Sequence, residues 1–225
     1  MNMNVDPHSL KAQVAAAAVH EVPDGCVLGV GTGSTVDLFI DALATAGKPL
    51  AAAVASSKRT RLRLESHGYT VIELHDVSEP LALYVDGADE IDASLCMIKG
   101  GGAALTREKI VASASERFVC IVDESKCVEV MGRFPLPIEV IAMALRPVTW
   151  ALESMGGRPV LRAGVLTDNG HPILDVHGLS LVNPLDWEDR LNAIPGVVTN
   201  GIFARQRASV ALVAGSGGVK RLTPQ

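Results

Sequence analysis

No surplus of positive charge is present: 20 Lys and Arg stand against 25 Asp and Glu, for a formal net charge of −5. That excludes bulk electrostatic binding of nucleic acid or of an anionic membrane surface, so an anionic ligand has to be held by a local site. The chain also lacks a C-x-x-C pair. Its four cysteines, Cys26, Cys96, Cys120 and Cys127, read as small thiols, three of them in or beside apolar runs. They suit a reducing cytosol better than a disulfide framework or a zinc site. No basic-then-apolar leader opens the sequence, and the Ala-rich stretch from Ala12 to Val19 is far shorter than the ~20 apolar residues of a membrane span. A cytoplasmic protein without a membrane partner is therefore expected. The six histidines show no metal-ligand spacing, and neither a Ser–His–Asp order nor a tandem repeat is recognisable.

What is present suits a compact fold. Hydrophobic residues make up 48% and charged residues 20%, enough to bury a core in a chain of 225 residues. Ser9 is expected to cap a helix reaching about His20, after a loose segment from Met1 to His8. A short buried strand, Cys26 to Val30, runs into a glycine-rich loop. From Thr35 the apolar residues Val36, Phe39, Ile40 and Leu43 fall at helical spacing up to Gly47. Strands are then expected at 51–55, 69–74, 81–85 and 118–122, with helices from Ser56 to Gly68 and from Ala103 to Ser115. Strands alternating with helices predict a parallel sheet covered on both faces, a Rossmann-like α/β domain with ligands bound beyond the carboxyl ends of its strands.

Near Pro135 the pattern changes. A strand at 138–143, a helix at 148–155, strands at 159–162 and 172–176, a helix at 184–192 and a strand at 197–203 give a βαββαβ order. The Asp168-Asn169-Gly170 turn joins the middle strands, with φ > 0 suiting Asn and Gly. This is the split-βαβ, ferredoxin-like α+β arrangement. Residues 1–131 plus 204–225 are expected to form the Rossmann-like domain, with a final strand at 210–214 returning to its sheet, and residues 132–203 the smaller one.

Five clusters could carry chemistry. Gly29-Val30-Gly31-Thr32-Gly33-Ser34-Thr35 leaves a strand and enters a helix, so its amides, hydroxyls and helix dipole suit a phosphate. It is not a dinucleotide fingerprint, because Ser34 stands where a third glycine would, and it lacks the Gly-Lys-Ser/Thr of a P-loop. Asp86-Gly87-Ala88-Asp89-Glu90-Ile91-Asp92 crowds four carboxylates at a strand end, where ionisation is perturbed. It lacks the spacing of a calcium loop. Lys99-Gly100-Gly101-Gly102 sets a cation beside backbone that can approach a ligand closely. Glu108, and the pair Asp123 and Lys126, are unremarkable alone and read first as surface charges.

Taken together, the segments GVGTGST at 29–35, YVDGADEI at 84–91, MIKGGGAALTREKI at 97–110, GRFPLPIEV at 132–140, TDNG at 167–170, ILDVHG at 173–178 and NAIPGVVT at 192–199 closely resemble ribose-5-phosphate isomerase of the A type. The resemblance runs nearly end to end. It implies an aldose–ketose isomerase of the non-oxidative pentose phosphate pathway, passing through an enediolate, with Glu108 as the general base. It also implies Lys99 and the loop amides as partners of the enediolate, and Asp86, or else Asp89, as the group handling hydroxyl protons and ring opening. Lys11, Thr32, Gly33, Ser34, Thr35, Asp86, Gly87, Ala88, Asp89, Lys99, Gly100, Gly101, Gly102, Asp123 and Lys126 would bind the substrate. It implies neither metal nor redox cofactor, and a homodimer or homotetramer. The more basic stretch at 56–60 departs from the family pattern, and no role is assigned to it. The competing readings are a non-catalytic sugar-phosphate sensor and a nicotinamide-dependent oxidoreductase. The full Glu/Asp/Lys set opposes the first; the missing third glycine and missing ribose-binding acid oppose the second.

Overall fold

The computed structural model describes residues 6–224, so most of the segment expected to be loose, Met1 to Val5, lies outside the described residues. The first helix starts earlier than expected. Asp6, not Ser9, is its N-cap: the side chain accepts from the His8 amide, and a proline at position 7 sets the first helical φ for α1 (Pro7–Val19). The chain continues through β1 (Val27–Val30), α2 (Ser34–Thr45), β2 (Ala52–Ala55), α3 (Lys58–Ser66), β3 (Leu83–Asp86), β4 (Glu90–Ile91), β5 (Met97–Ile98), α4 (Leu105–Ser113) and β6 (Phe118–Asp123). After these come β7 (Leu136–Val140), α5 (Leu145–Ser154), β8 (Arg158–Leu161), β9 (Ile173–His177), α6 (Pro184–Asn192), β10 (Val197–Asn200), β11 (Ile202–Phe203), β12 (Val210–Gly215) and β13 (Gly218–Leu222).

The main sheet has the order β13-β12-β6-β3-β1-β2, parallel throughout except for the β12–β13 hairpin. From β1 the chain crosses to β2 on one side and then to β3 on the other. The carboxyl ends of β1 and β3 therefore flank the topological switch point, where open α/β sheets bind ligands. The two faces are divided by the strand period of two. Leu83 and Val85 join the core under α1 and α2, while Tyr84 packs with Val111 of α4 on the other side. Asp86, two residues beyond Tyr84, thereby shares the α4 side of the sheet.

The four-stranded sheet, β10-β7-β9-β8, is antiparallel and carries a third core with α5 and α6. In chain order its strands sit 4-1-3-2, as a split βαβ demands. The strand expected at 197–203 is in fact two. Gly201 breaks it because an added Cβ would meet the Lys99 carbonyl and Pro137, and β11 leaves to pair with β5 in a small third sheet.

Other expectations also needed correction. Residues 69–74 form no strand: Val71 makes a single bridge to Ala53, and Leu74–Asp76 turns into a short 3-10 helix. At this open sheet edge the apolar residues Tyr69 and Val71 serve packing rather than a ladder. The strand expected at 138–143 ends at Val140, because Ala142–Ala144 winds directly into α5. In the 168–170 turn only Gly170 has positive φ, Asn169 spending its amide on Glu139 instead. β13, with exposed side chains at four of its five positions, carried no periodic signal and was missed.

Candidate active site

Loops after β1, β3 and β5 and the start of α4 meet in a cleft of about 130 Å³. Lys11, Thr32, Gly33, Ser34, Thr35, Gly87, Ala88, Asp89, Lys99, Gly100, Gly101, Gly102, Glu108 and Lys126 line it, together with Val36. Asp86 and Asp123 do not reach its wall. Asp123 is buried and accepts from the Ser125 amide, capping the short 3-10 turn (Glu124–Lys126) that carries Lys126.

Asp86 lies beneath the cleft with both carboxylate oxygens in use. Oδ1 accepts from the amides of Thr32 at 3.0 Å and Gly87 at 2.7 Å; Oδ2 accepts from Lys99 Nζ at 2.7 Å and from the Tyr84 hydroxyl. Burial, then the Asp86 charge, hold the Tyr84 phenol far above its usual range, so it remains a neutral donor. Sequence reasoning passed over Tyr84, although its place two residues before Asp86 on one strand is a legible signal.

Gly31 is bound to this anchor. Its amide donates to the Val85 carbonyl, and a Cβ added there would collide with the Asp86 carboxyl. Gly31→Ala is expected to displace Asp86, lowering stability by about 1–3 kcal/mol and kcat with it. Thermal unfolding and steady-state assays of that variant check this; wild-type values in both would show that the carboxyl has room to move.

Lys99 is 2% exposed and donates to Asp86 and to the Gly87 carbonyl, the latter also at 2.7 Å. Burial works against its charge, but Asp86 and Glu108 outweigh burial and raise its pKa, so it stays an ammonium. Its Nζ stands 3.2 Å from Glu108 Oε2, within ion-pair range but outside hydrogen-bond geometry. Glu108 Oε2 is thus a buried side-chain oxygen with no hydrogen-bond partner among the described residues. Burial, followed by the Asp86 charge, pushes the Glu108 carboxyl up to about 8 against the pull of Lys99. Asp89 is also raised, chiefly by burial; the Gly101 amide, donating to its Oδ2 at 2.8 Å, opposes this.

The opposite end of the cleft is a cradle of donors. Gly33, with φ of 131°, is the N-cap of α2 and leaves the first-turn amides of Ser34 and Thr35 facing it. Lys11 Nζ donates to Ser34 Oγ at 3.0 Å. Behind them, Thr32 Oγ1 joins the hydroxyls of Ser56, Ser57 and Thr60, and Thr60 donates to the Gly31 carbonyl. The basic residues that follow are taken up by α2 and its neighbours: Arg59 pairs with Asp37, Arg63 with Asp41 and Arg61 with Glu73. They brace α3 and do not enter the cleft. Among the described residues, no three His, Cys, Asp or Glu side chains gather as a metal-binding group.

The sequence model of the family described as ribose 5-phosphate isomerase A (phosphoriboisomerase A) matches residues 52–218. Curated relatives named ribose-5-phosphate isomerase A include that of Bordetella avium (strain 197N), 56% identical over 219 residues, covering 95% of this chain and 97% of that protein. Another, from Methylibium petroleiphilum (strain ATCC BAA-1232 / LMG 22953 / PM1), is 54% identical over 220 residues, covering 98% and 99%. The crystal structure of ribose 5 phosphate isomerase A from Neisseria gonorrhoeae superposes with a TM-score of 0.96 at 48% identity, over 98% of both chains. A D-ribose-5-phosphate isomerase solved in complex with phospho-erythronic acid gives 0.93 at 37% identity, over 97% of this chain and all of the other.

Proposed function

The chain belongs to the ribose 5-phosphate isomerase A family, and on that footing we propose that Glu108 carries the proton between C1 and C2 of the sugar. The protein is an aldose–ketose isomerase, interconverting ribose 5-phosphate and ribulose 5-phosphate. One observation carries the assignment of Glu108: it lines the cleft and holds a buried carboxylate oxygen without a hydrogen-bond donor, with the Lys99 ammonium 3.2 Å away.

Taking the C2 proton of the open-chain aldose leaves an enediolate, and returning a proton to C1 yields the ketose. A positioned carboxylate does both, since each step needs one lone pair at one place. Lys99 and the amides of Gly100 and Gly102 would face the negative charge that develops on oxygen, the Gly101 amide being taken by Asp89. The amide and hydroxyl cradle at 32–35, with Lys11, would anchor the phosphate and hold the reacting carbons over Glu108. A sensor needs no such unpaired base, and that reading is not favoured. Chelator-treated protein should isomerise ribose 5-phosphate, and Glu108→Gln should lose turnover but still bind; binding without turnover in the wild type would support the sensor.

Asp89, rather than Asp86, is proposed to move hydroxyl protons during ring opening. Asp86 has no free lone pair facing the cleft, whereas Asp89 lines it with a raised pKa. Ribulose 5-phosphate cannot close a furanose through its blocked O5. Asp89→Asn is therefore expected to slow conversion of ribose 5-phosphate by about tenfold or more, yet to spare solvent-deuterium exchange into ribulose 5-phosphate. Equal losses in both would place the ring-opening group elsewhere.

No helix among the described residues is long and apolar enough to cross a membrane, and the proposed setting is the cytoplasm. Self-assembly into a homodimer or homotetramer is proposed through β8 of the four-stranded sheet and α5, where Met143, Trp150, Val160, Leu161 and Leu166 leave apolar surface exposed. Sedimentation of Trp150→Glu should show a smaller species than the wild type; an unchanged mass would move the interface to another face.

A further inference from the structure

The glycine loop of the cleft is held from outside. Arg162, just past β8, sends Nη1 to the carbonyls of Gly100 at 3.0 Å and Gly101 at 3.2 Å. Its Nε and Nη2 form a two-point pair with Asp175 of β9, at 2.8 and 2.5 Å. The fork geometry of a guanidinium permits both at once, and a lysine could not reproduce it.

The consequence lies in the peptide units. A carbonyl drawn towards Arg162 is turned away from the sugar, which leaves the amide side of the loop for the cleft. The Ala103 amide also donates to the Gly100 carbonyl, and Ala103 itself sits at a φ of 61°, in the left-handed region that L side chains avoid. Such a turn persists only where its surroundings over-determine it. The Gly101 amide then meets Asp89, and α4 starts two residues beyond Ala103, placing Glu108.

The same small domain grips the start of α4 a second time. Glu139 of β7, fully buried, accepts from Thr106 at 2.5 Å and from Thr167 and Asn169. Arg107 reaches back to Asn169 and to the Asp168 carbonyl.

We propose that Arg162, anchored by Asp175, is a positioning residue that orients the Gly100–Gly101 peptides so that the loop and Glu108 present their catalytic groups to the enediolate. It acts through the loop carbonyls and is absent from the cleft wall. This rests on the isomerase reading given above. It also gives the smaller domain a part in catalysis, since Arg162 directly follows β8 and its anchor lies on β9 of that sheet.

The experiment compares Arg162→Ala, Arg162→Lys and Asp175→Asn with wild type in kcat, KM for ribose 5-phosphate and competitive inhibition by inorganic phosphate. A wild type without isomerase activity would defeat the functional reading itself. With an active wild type, Arg162→Ala should lose roughly 10–100-fold in kcat, with KM and phosphate inhibition within about threefold, because the phosphate cradle lies on other elements. Added guanidinium ion should restore part of the loss, as the site is partly open to solvent. Asp175→Asn, which keeps the carbonyl contacts but loosens the fork, should fall between wild type and Arg162→Ala. Arg162→Lys should stay near the alanine variant. A kcat within twofold of wild type in Arg162→Ala overturns the proposal, as does a parallel loss of kcat and phosphate affinity. Should Arg162→Ala fail to fold, the lysine and asparagine variants decide by the same criteria.

Discussion

Glu108→Gln is expected to lower kcat by roughly 10²–10⁴-fold while KM stays within a few fold. The amide keeps the shape and can still face Lys99 with its oxygen, so the cleft should bind substrate as before. It cannot take a proton from carbon. The expected pH behaviour of the wild type follows from the same group. With its pKa near 8, Glu108 is mostly protonated at neutral pH in the free enzyme, so kcat/KM should rise with pH until the carboxylate predominates. That limb should vanish in the variant. Stability should move the other way. The unfolded carboxyl ionises near 4.5, so between about 4.5 and 8 the native state holds a proton that the unfolded state has released. Native stability is fully present below that window and is lost as pH rises through it. Glu108→Gln never has to ionise, and it should unfold at a higher temperature than wild type above pH 8, with the difference fading towards pH 4.5. Melting curves across that range and steady-state kinetics check both halves. A variant that kept near-normal turnover would assign the proton transfer elsewhere.

The sequence made the proposed phosphate cradle and the switch-point loops legible because their chemistry is local: glycines, hydroxyls and a strand-to-helix transition stand consecutively at 29–35. The role proposed for Glu108 was legible only through the resemblance. Nothing in Thr106-Arg107-Glu108-Lys109 separates a base from a salt-bridging surface glutamate, and even its neighbour Lys109 is buried against Glu188, at 2.6 Å. Burial is a property of the assembled α4 and β5 and has no signature in one turn of helix. Asp86 shows the converse. The strand end announced a charged cluster, yet only the structure shows that Tyr84, Lys99 and two amides consume its lone pairs. Glu139 and Arg162 could have been flagged as charges beside apolar strands, but their partners lie 13 to 62 residues away, beyond any periodic pattern. The short strands β4 and β5, of two residues each, offer no alternation to read, and β11, expected as the end of one strand at 197–203, pairs instead with the distant β5.

Lys99→Met should be the variant that damages both folding and chemistry. Lys99 is the counter-charge of a carboxylate that is itself fully buried, and the pair sits 2.7 Å apart under the cleft. Methionine fills much the same space but leaves Asp86 with neutral donors only, and stranding one member of a buried pair costs about 3–5 kcal/mol. Catalysis loses a separate contribution. The ammonium that stands beside Glu108, and is proposed to face the developing enediolate, disappears, and donors of that kind are worth about 10²–10³-fold each. Asp86, held on its Oδ2 side by Tyr84 alone, also fixes the Thr32 and Gly87 amides less firmly, so binding at the proposed phosphate cradle should weaken as well. The expected result is kcat down by roughly 10³-fold or more, KM raised, and a lowered melting temperature at neutral pH. Lys99→Arg should not rescue it, because a planar guanidinium has no room in a pocket where lysine is 2% exposed. A Lys99→Met protein with wild-type stability at neutral pH would mean that the Asp86 charge is compensated by its amide and phenol donors alone, and the role of Lys99 would then be confined to the reaction.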